Sequence, residues 1–233
     1  MIYVCVDDTD NLNSRGTGRL ARAIAAELSK KYPVLGVTRH QLYVHPDIPF
    51  TSHNSCGVIH VKSNDKESLD DMFEIAKKEI YDDFIEGSDP GLSVAHESQI
   101  LPSLIAYAKD AKDTVLTQEK ARTLAKNLNI RLEGLGGTED GVIGSMAGLG
   151  LAHAGNDGRF LQIGHIRDLL GPQPVEKLID AGIDAVHTLD GRIIHEGLVI
   201  NAENKSVKPC PVNGKCILFV DEIDGKLHAI KRN

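Results

Sequence analysis

An apolar run, Ile2-Tyr3-Val4-Cys5-Val6, ends in Asp7-Asp8-Thr9-Asp10, and this junction restricts the fold more than any other part of the chain. A short, β-branched apolar run without polar alternation reads as a buried strand. Three carboxylates within four residues repel one another, so a positive group is expected beside them. Magnesium suits the place: it takes hard oxygen ligands, one or two carboxylates plus waters and substrate phosphates, and strand-end loops are where α/β folds put such sites. An exposed acidic turn with one Asp as helix cap explains one of the three and not the others. Asp7, Asp8 and Asp10 are therefore the candidate metal ligands and catalytic carboxylates.

Gly16, Thr17 and Gly18 follow, then a helix over 19–32 whose Leu20, Ile24 and Leu28, with Ala21 and Ala25, form one apolar face. Unpaired amides at its start, with Arg19, offer an anion site, and Thr9, Gly16, Thr17, Gly18 and Arg19 are candidate nucleotide contacts. Stretches 34–38, 41–44 and 57–61 read as strands. Between the last two runs a proline-stiffened loop, His45 to Phe50, ending in Thr51-Ser52-His53-Asn54, four hydrogen-bonding side chains that form a candidate substrate-recognition cluster. His40, His45, His53 and His60 do not have zinc-site spacing, and each is expected to be structural except His53, which belongs to that cluster.

A polar stretch near Ser63 opens a second segment. Its pattern predicts a helix carrying Leu69, Met72, Phe73, Ala76 and Ile80, then Asp89-Pro90-Gly91, a strand at 92–95, a helix at 102–109 and a helix opened by Thr117. Alternation of this kind predicts a small α+β sandwich. Residues 134–150 hold seven glycines in seventeen positions and run into a helical pattern at Val142, Ile143, Met146 and Ala147, with Thr138 as candidate cap. Bare backbone at a helix start can cradle phosphate, which makes Gly136, Gly137, Thr138 and Gly141 nucleotide candidates. The stretch fits neither the P-loop pattern nor the dinucleotide fingerprint, and Glu139 and Asp140 would repel phosphate unless they face away or share its metal. Beyond it, a helix at 175–181 and turns at Asp190-Gly191, Asn213-Gly214 and Asp224-Gly225 predict an antiparallel carboxy-terminal sheet. Cys210 and Cys216 flank the second turn. With no other Cys pair to complete a tetrahedral site, they read as hairpin residues, and metal binding by them stays open.

Composition narrows the function classes. A net charge of -7 disfavours a free-standing, non-specific RNA binder. No apolar run reaches membrane-spanning length, the start lacks a leader pattern, and four scattered cysteines make no disulfide framework. A cytoplasmic protein without membrane attachment is expected.

Taken in order, Val6 to Asp10, Arg39 to Asn54, Asp89-Pro90-Gly91 and the glycine loop running into Val142-Ile143-Gly144-Ser145-Met146-Ala147 resemble the archaeal enzyme family that attaches agmatine to the wobble cytidine of an isoleucine tRNA. The resemblance covers about residues 1–155 and weakly extends to 200. It implies an α+β fold: a mixed-sheet, kinase-like nucleotide-binding domain formed by 1–62 and about 134–200, with the carboxy-terminal β region to 233 counted with it, and a ferredoxin-like module inserted at 63–133. It implies that Asp7, Asp8 and Asp10 hold magnesium and the phosphates of ATP, and that Gly136, Gly137 and Gly141 line the nucleotide. The family has consecutive threonines after the first glycine turn; here Gly18-Arg19 stand there with Thr17 nearby, so a phosphoenzyme step does not carry over. The family also continues into an oligonucleotide-binding barrel and a zinc ribbon that grip tRNA, of which this sequence offers only Cys210 and Cys216. Weak tRNA binding by this chain alone is the expectation.

The sequence thus predicts an ATP- and magnesium-dependent ligase or kinase-like phosphotransferase of RNA modification, with a small-molecule or nucleoside acceptor. Two alternatives stay open: a non-catalytic nucleotide sensor or partner protein in tRNA modification, and a small-molecule binding protein.

Overall fold

The computed structural model describes residues 1–11, 16–49 and 53–232. The chain divides into two compact units, Met1–Ala154 and Gly155–Asn233. Each carries a β-sheet, so the architecture is mixed α/β. This cuts the chain elsewhere than the 1–62 plus 134–233 division that the resemblance implies.

The first unit opens with β1 (Ile2–Asp7), in which all six residues are buried. The reason is that helices cover both sides of the sheet, α1 and α2 on one side and α5 on the other. Next come α1 (Thr17–Ser29), β2 (Val34–Gln41) and β3 (Ser55–Val61), then α2 (Leu69–Asp82), β4 (Gly91–His96), α3 (Pro102–Asp110), α4 (Gln118–Asn127), β5 (Arg131–Gly134) and α5 (Gly141–Ala154). Within this unit the strands lie in the order β5-β4-β1-β3-β2, every neighbouring pair antiparallel. The segment 63–133 thus contributes β4 and most of β5 to the sheet that carries Asp7.

Periodicity located the helices well. The buried face of α1 is Leu20, Ala21, Ile24, Ala25 and Leu28, and that of α2 includes Met72, Phe73, Ala76 and Ile80. Thr117 caps α4, its hydroxyl accepting from the amide of Lys120. Two local expectations are corrected. The β-rich stretch 41–44 makes no second strand: β2 ends at Gln41, and beyond it the amides of Leu42 and Tyr43 bond to the carbonyls of Asn54 and Ala111. Thr138 is not the cap of α5, which begins at Gly141; its amide instead donates to the Asp89 carboxylate.

Helix α5 is apolar on all sides, with eleven of its fourteen residues buried. A mid-helix glycine costs about 1 kcal/mol against alanine, so Gly144, Gly148 and Gly150 need a compensating reason. They have one in space: a Cβ at Gly148 would stand 2.3 Å from Cys5 Sγ, and one at Gly150 2.6 Å from the Ala108 Cβ. The helix lies against strand and helix at a distance that only glycine allows.

The second unit holds β6 (Arg159–Ile163), β7 (Gln173–Pro174), α6 (Val175–Asp180), β8 (Ala185–Thr188), β9 (Ile193–Ile194), β10 (Leu198–Ile200), β11 (Cys210–Val212), β12 (Lys215–Ile223) and β13 (Lys226–Ala229). The three Gly turns close antiparallel hairpins, β8–β9, β11–β12 and β12–β13, as their sequences predict. The sheet as a whole is mixed rather than antiparallel, because β8 joins β12 and β10 joins β13 in parallel. Local turn chemistry fixes hairpins and is silent on these long-range neighbours. Cys210 and Cys216 are free, buried thiols on the β11–β12 hairpin. No helix among the described residues is long and apolar enough to cross a membrane.

Candidate functional site

The acidic loop leaves β1 at its carboxyl end. Asp7 is still buried by the sheet and α5, and burial, then repulsion from Asp8 and Asp10, holds its carboxyl well above the usual carboxylate range. Asp8 adopts a left-handed backbone, φ 52, which a side-chain-bearing residue visits only where its surroundings enforce it. Burial, with like charge from Asp89, Asp10 and Asp140, pushes its carboxyl up to about 7. Asp10 is held by the Thr17 hydroxyl at 3.3 Å. Between them Thr9 is buried, and its Oγ1 has no hydrogen-bond partner among the described residues.

A cavity of about 360 Å³ opens beside this loop. One part of its wall is acidic: Asp7, Asp8, Asp10, Asp47 and Asp140. Another is apolar, including Leu42, Ile48, Pro49, Val115, Leu116 and Ile143. No Lys or Arg is among its described lining residues. Thr17, His53, Asn54, Ser55, Gln118 and Gly144 also reach it. A Cβ at Gly144 would fall 1.8 Å from Asp7 Oδ2, so this glycine lets the first turns of α5 press on the carboxylate.

Among the described residues no Lys or Arg joins the acids in the cavity wall. Arg19 is exposed and forks onto the Asp83 carboxylate at 3.0 and 3.3 Å, and Arg22 donates to the Gly18 carbonyl at 2.7 Å. Arg39 is half-buried on β2, donates to Ser55 Oγ at 2.8 Å and feels the charge of Asp10; burial lowers its pKa. Arg15 lies outside the described residues.

Of the sequence candidates, Asp7, Asp8, Asp10, Thr17, His53 and Asn54 meet at the cavity. Thr51 and Ser52 lie outside the described residues. Asn54 has a scaffolding share as well, its side chain donating to the Tyr43 carbonyl at 2.7 Å. Gly16 precedes α1 with φ 82, and its carbonyl accepts the Arg19 amide at 2.9 Å. Thr9, Gly16, Gly18 and Arg19 do not line the cavity, nor do Gly136, Gly137, Thr138 and Gly141. The last three glycines are closely packed: a Cβ at Gly136 would meet the Phe84 ring at 2.6 Å, and one at Gly141 the amide nitrogen of Gly91 at 2.4 Å. Glu139 faces away to Arg122, whereas Asp140 stays at the cavity and accepts from Gln118 Nε2 at 2.7 Å.

Asp47 and Gly144 lie inside stretches that carry the resemblance, though neither stood out there as a site residue, and the 114–118 stretch gave no signal for the site, since only tertiary folding brings it there. Two of the four histidines, His40 and His60, have structural places: Thr38 Oγ1 stands 2.8 Å from Nε2 of both, and burial pushes His60 down to about 3. Among the described residues no group of three or more His, Cys, Asp or Glu side chains is placed to hold a metal ion.

No protein-family profile and no curated protein matches the chain. Solved structures do. Apo TiaS, a tRNA-Ile2 agmatidine synthetase, matches with a TM-score of 0.54 and 21% identity, covering 64% of this chain and 35% of that one. The TiaS–tRNA(Ile2)–ATP complex matches at 0.55 and 22%, covering 64% and 36%. The TiaS–tRNA(Ile2)–AMPCPP–agmatine complex matches at 0.56 and 16%, covering 91% and 54%. The fold is TiaS-like, and the chain spans between a third and about half of the length of these proteins.

Proposed function

We propose that this chain binds ATP with magnesium at the end of β1 and acts as a phosphotransferase or ligase in RNA modification. The observation that carries the reading is the Asp7–Asp8 pair, two carboxyls withdrawn from water and repelling each other beside a cavity. Such groups ionise together only next to a cation. Magnesium asks for one or two protein carboxylates and completes its shell with water and phosphate oxygens, so the donor set fits. One or two of Asp7, Asp8 and Asp10 would hold it, since no three such side chains converge on one point among the described residues, and when bound it would neutralise charge on phosphate oxygens. The unpartnered Thr9 hydroxyl, the amides of Gly16, Thr17 and Gly18 at the start of α1, and Arg39 behind Ser55 are then the groups that orient phosphate. Gly136, Gly137, Thr138 and Gly141 contribute by keeping α5 and its loop close.

The rest of the cavity suits a cationic acceptor with an aliphatic body. Asp47 and Asp140 stand beside Leu42, Ile48, Pro49, Val115 and Leu116, with no Lys or Arg among the described wall residues to oppose a positive charge. Agmatine, present in one of the TiaS complexes, is the first amine to test. His53 and Asn54, with Thr51 and Ser52, would recognise the nucleoside partner. In this reading the ferredoxin-like part is Ile2–His96 and not 63–133, a placement supported by its β-α-β-β-α-β order and antiparallel β4-β1-β3-β2 arrangement, and the kinase-like part is what α5 and its glycine loop add. For tRNA, bound by this chain alone, we expect a Kd no tighter than about micromolar at physiological salt. Titrating total tRNA and a wobble-cytidine tRNA across a salt series checks it; nanomolar affinity for the second alone would overturn it.

A second reading, a nucleotide sensor without turnover, is favoured by one observation: Arg19, which with Gly18 stands where the resembled family has its consecutive threonines, is engaged with Asp83. Purified protein with ATP, magnesium, agmatine and tRNA separates the readings. Release of ADP, AMP or pyrophosphate supports the enzyme. A rise in melting temperature without release supports the sensor. No shift at millimolar ATP and magnesium rejects both, since a ligand bound only by the folded state stabilises it by about 2.7 kcal/mol at a hundredfold excess over Kd.

A further inference from the structure

The segment Ser88–Gly91 stays outside the cavity wall, yet the loops on both sides of the acidic site hang from it. Asp89 bonds in three directions. Its amide donates to the Asp8 carbonyl at 3.1 Å, its carbonyl accepts from the Gly141 amide at 2.9 Å, and its carboxylate accepts from the Thr138 amide. Next to it the Pro90 carbonyl accepts from the Leu135 amide at 2.8 Å. The backbone of Gly91 lies so close to that of Gly141 that a Cβ on Gly91 would sit 2.0 Å from the Gly141 carbonyl carbon.

We propose that Asp89 is a positioning residue, a staple that joins the acidic loop to the glycine loop and so fixes where the Asp7 and Asp8 carboxylates stand against the first turn of α5. The inference rests on the nucleotide reading above for its ligand, though not for its geometry. Asp8 holds a left-handed backbone that a carboxylate-bearing residue keeps only when its neighbours enforce it, and the bond from the Asp89 amide fixes the direction of the Asp8 carbonyl. On the other side Gly137 is also left-handed, φ 56, and a Cβ there would stand 2.0 Å from Asp89 Oδ1. The carboxylate therefore occupies the space that a side chain at 137 would need, and it is the acceptor for the next amide along.

Charge does not explain an acid at this position. Asp89 adds repulsion to a place already holding Asp8, Asp10 and Asp140, and it touches no cation among the described residues. What it supplies is an acceptor of the right reach. Asparagine has the same reach and no charge, and this separates the staple from any direct role of the carboxylate on ligand.

The test compares Asp89→Asn with Asp89→Ala in the full chain, by amide hydrogen exchange at Thr138 and Gly141 without nucleotide and by the affinity for ATP with magnesium. Asp89→Ala should lose at least about tenfold in protection at Thr138 and in affinity, the scale of one hydrogen bond, while Asp89→Asn stays within about threefold of wild type in both. If Asp89→Ala does not fold, Asp89→Ser, one atom too short to reach Thr138, takes its place. Wild-type protection in the alanine variant overturns the staple. So does an asparagine variant as impaired as alanine, because the charge would then be what matters. Lost protection in alanine together with a wild-type protein that ignores ATP and magnesium supports the staple and overturns the nucleotide reading instead.

Discussion

Glycine serves opposite needs in the two units. In Met1–Ala154, Gly144, Gly148 and Gly150 sit inside α5, where any residue could take the backbone conformation, and a Cβ on each would come within 1.8 to 2.6 Å of its nearest neighbour. In Gly155–Asn233, Gly191, Gly214 and Gly225 have φ of 89, 76 and 71, and a Cβ on each would meet nothing within 4 Å. The first set is required by space and the second by conformation. Charge divides similarly. Asp7 and Asp8 are withdrawn from water in the first unit, whereas in the second Asp190 is exposed and lowered by its bond from the Thr188 hydroxyl. These features of the first unit cost stability beside the candidate site, whereas the three turn glycines and Asp190 of the second only shape turns.

The largest effect should come from Gly148→Ala. Helix propensity favours the change by about 1 kcal/mol, but two buried sulfurs, Cys5 Sγ at 2.3 Å and Cys56 Sγ at 2.7 Å, stand where the methyl must go. Overpacking of this kind costs about 3 kcal/mol, so the variant should be net destabilised in a urea titration. An unchanged or raised midpoint would mean that α5 can shift, and the spatial half of the comparison would fail. Gly144→Ala should lose less stability and more ligand, because the atom displaced is an Asp7 oxygen.

Next in size is a pH dependence. The Asp8 carboxyl moves from 3.8 to about 7 on folding, so the folded state binds its proton more tightly than the unfolded chain does. Stability from this group is therefore full at low pH, declines as pH rises from about 4 to 7, and is level above. Asp8→Asn carries no titrating group at this position. Its stability relative to wild type in the ligand-free protein should rise across that window and then stay constant. A flat difference from pH 4 to 8, measured by paired denaturation curves, would show that Asp8 ionises freely. ATP with magnesium should erase the wild-type deficit and do little for the variant.

How much was legible follows the same division. Helices with a one-sided apolar face announced themselves, as in Leu20, Ile24 and Leu28, and so did the three hairpins, because an Asn-Gly or Asp-Gly pair needs only local backbone geometry. The acidic loop was legible because three carboxylates in four residues need a common explanation. The glycines at 136, 137 and 141 read as bare backbone open to a phosphate, and in the folded chain their missing side chains are filled by Phe84, Asp89 and Gly91. Sequence cannot distinguish an empty glycine from one pressed by a neighbour. Nor could it bring Asp47 and Gln118 to the cavity or pair β8 with β12, since these depend on which strands and loops become neighbours in space.

The smallest effect should be at Gly214→Ala. Gly214 and Asn213 both lie in the left-handed region, φ 76 and 49, at the turn joining β11 and β12, and asparagine is among the few side-chain-bearing residues that sit there readily. Alanine at 214 keeps the amide that donates to the Gly155 carbonyl at 2.9 Å and meets no neighbour, so only the conformational penalty remains, about 1 kcal/mol. The hairpin should persist, and the rise in melting temperature with ATP and magnesium should equal that of wild type, because the proposed nucleotide site is built from the first unit. Calorimetry with and without ligand reads both quantities on one sample. A loss as large as that of Gly148→Ala would mean that the turn is packed and not merely bent. A changed ligand shift would mean that the second unit takes part in binding, and in either case the separation of the two glycine sets would no longer hold.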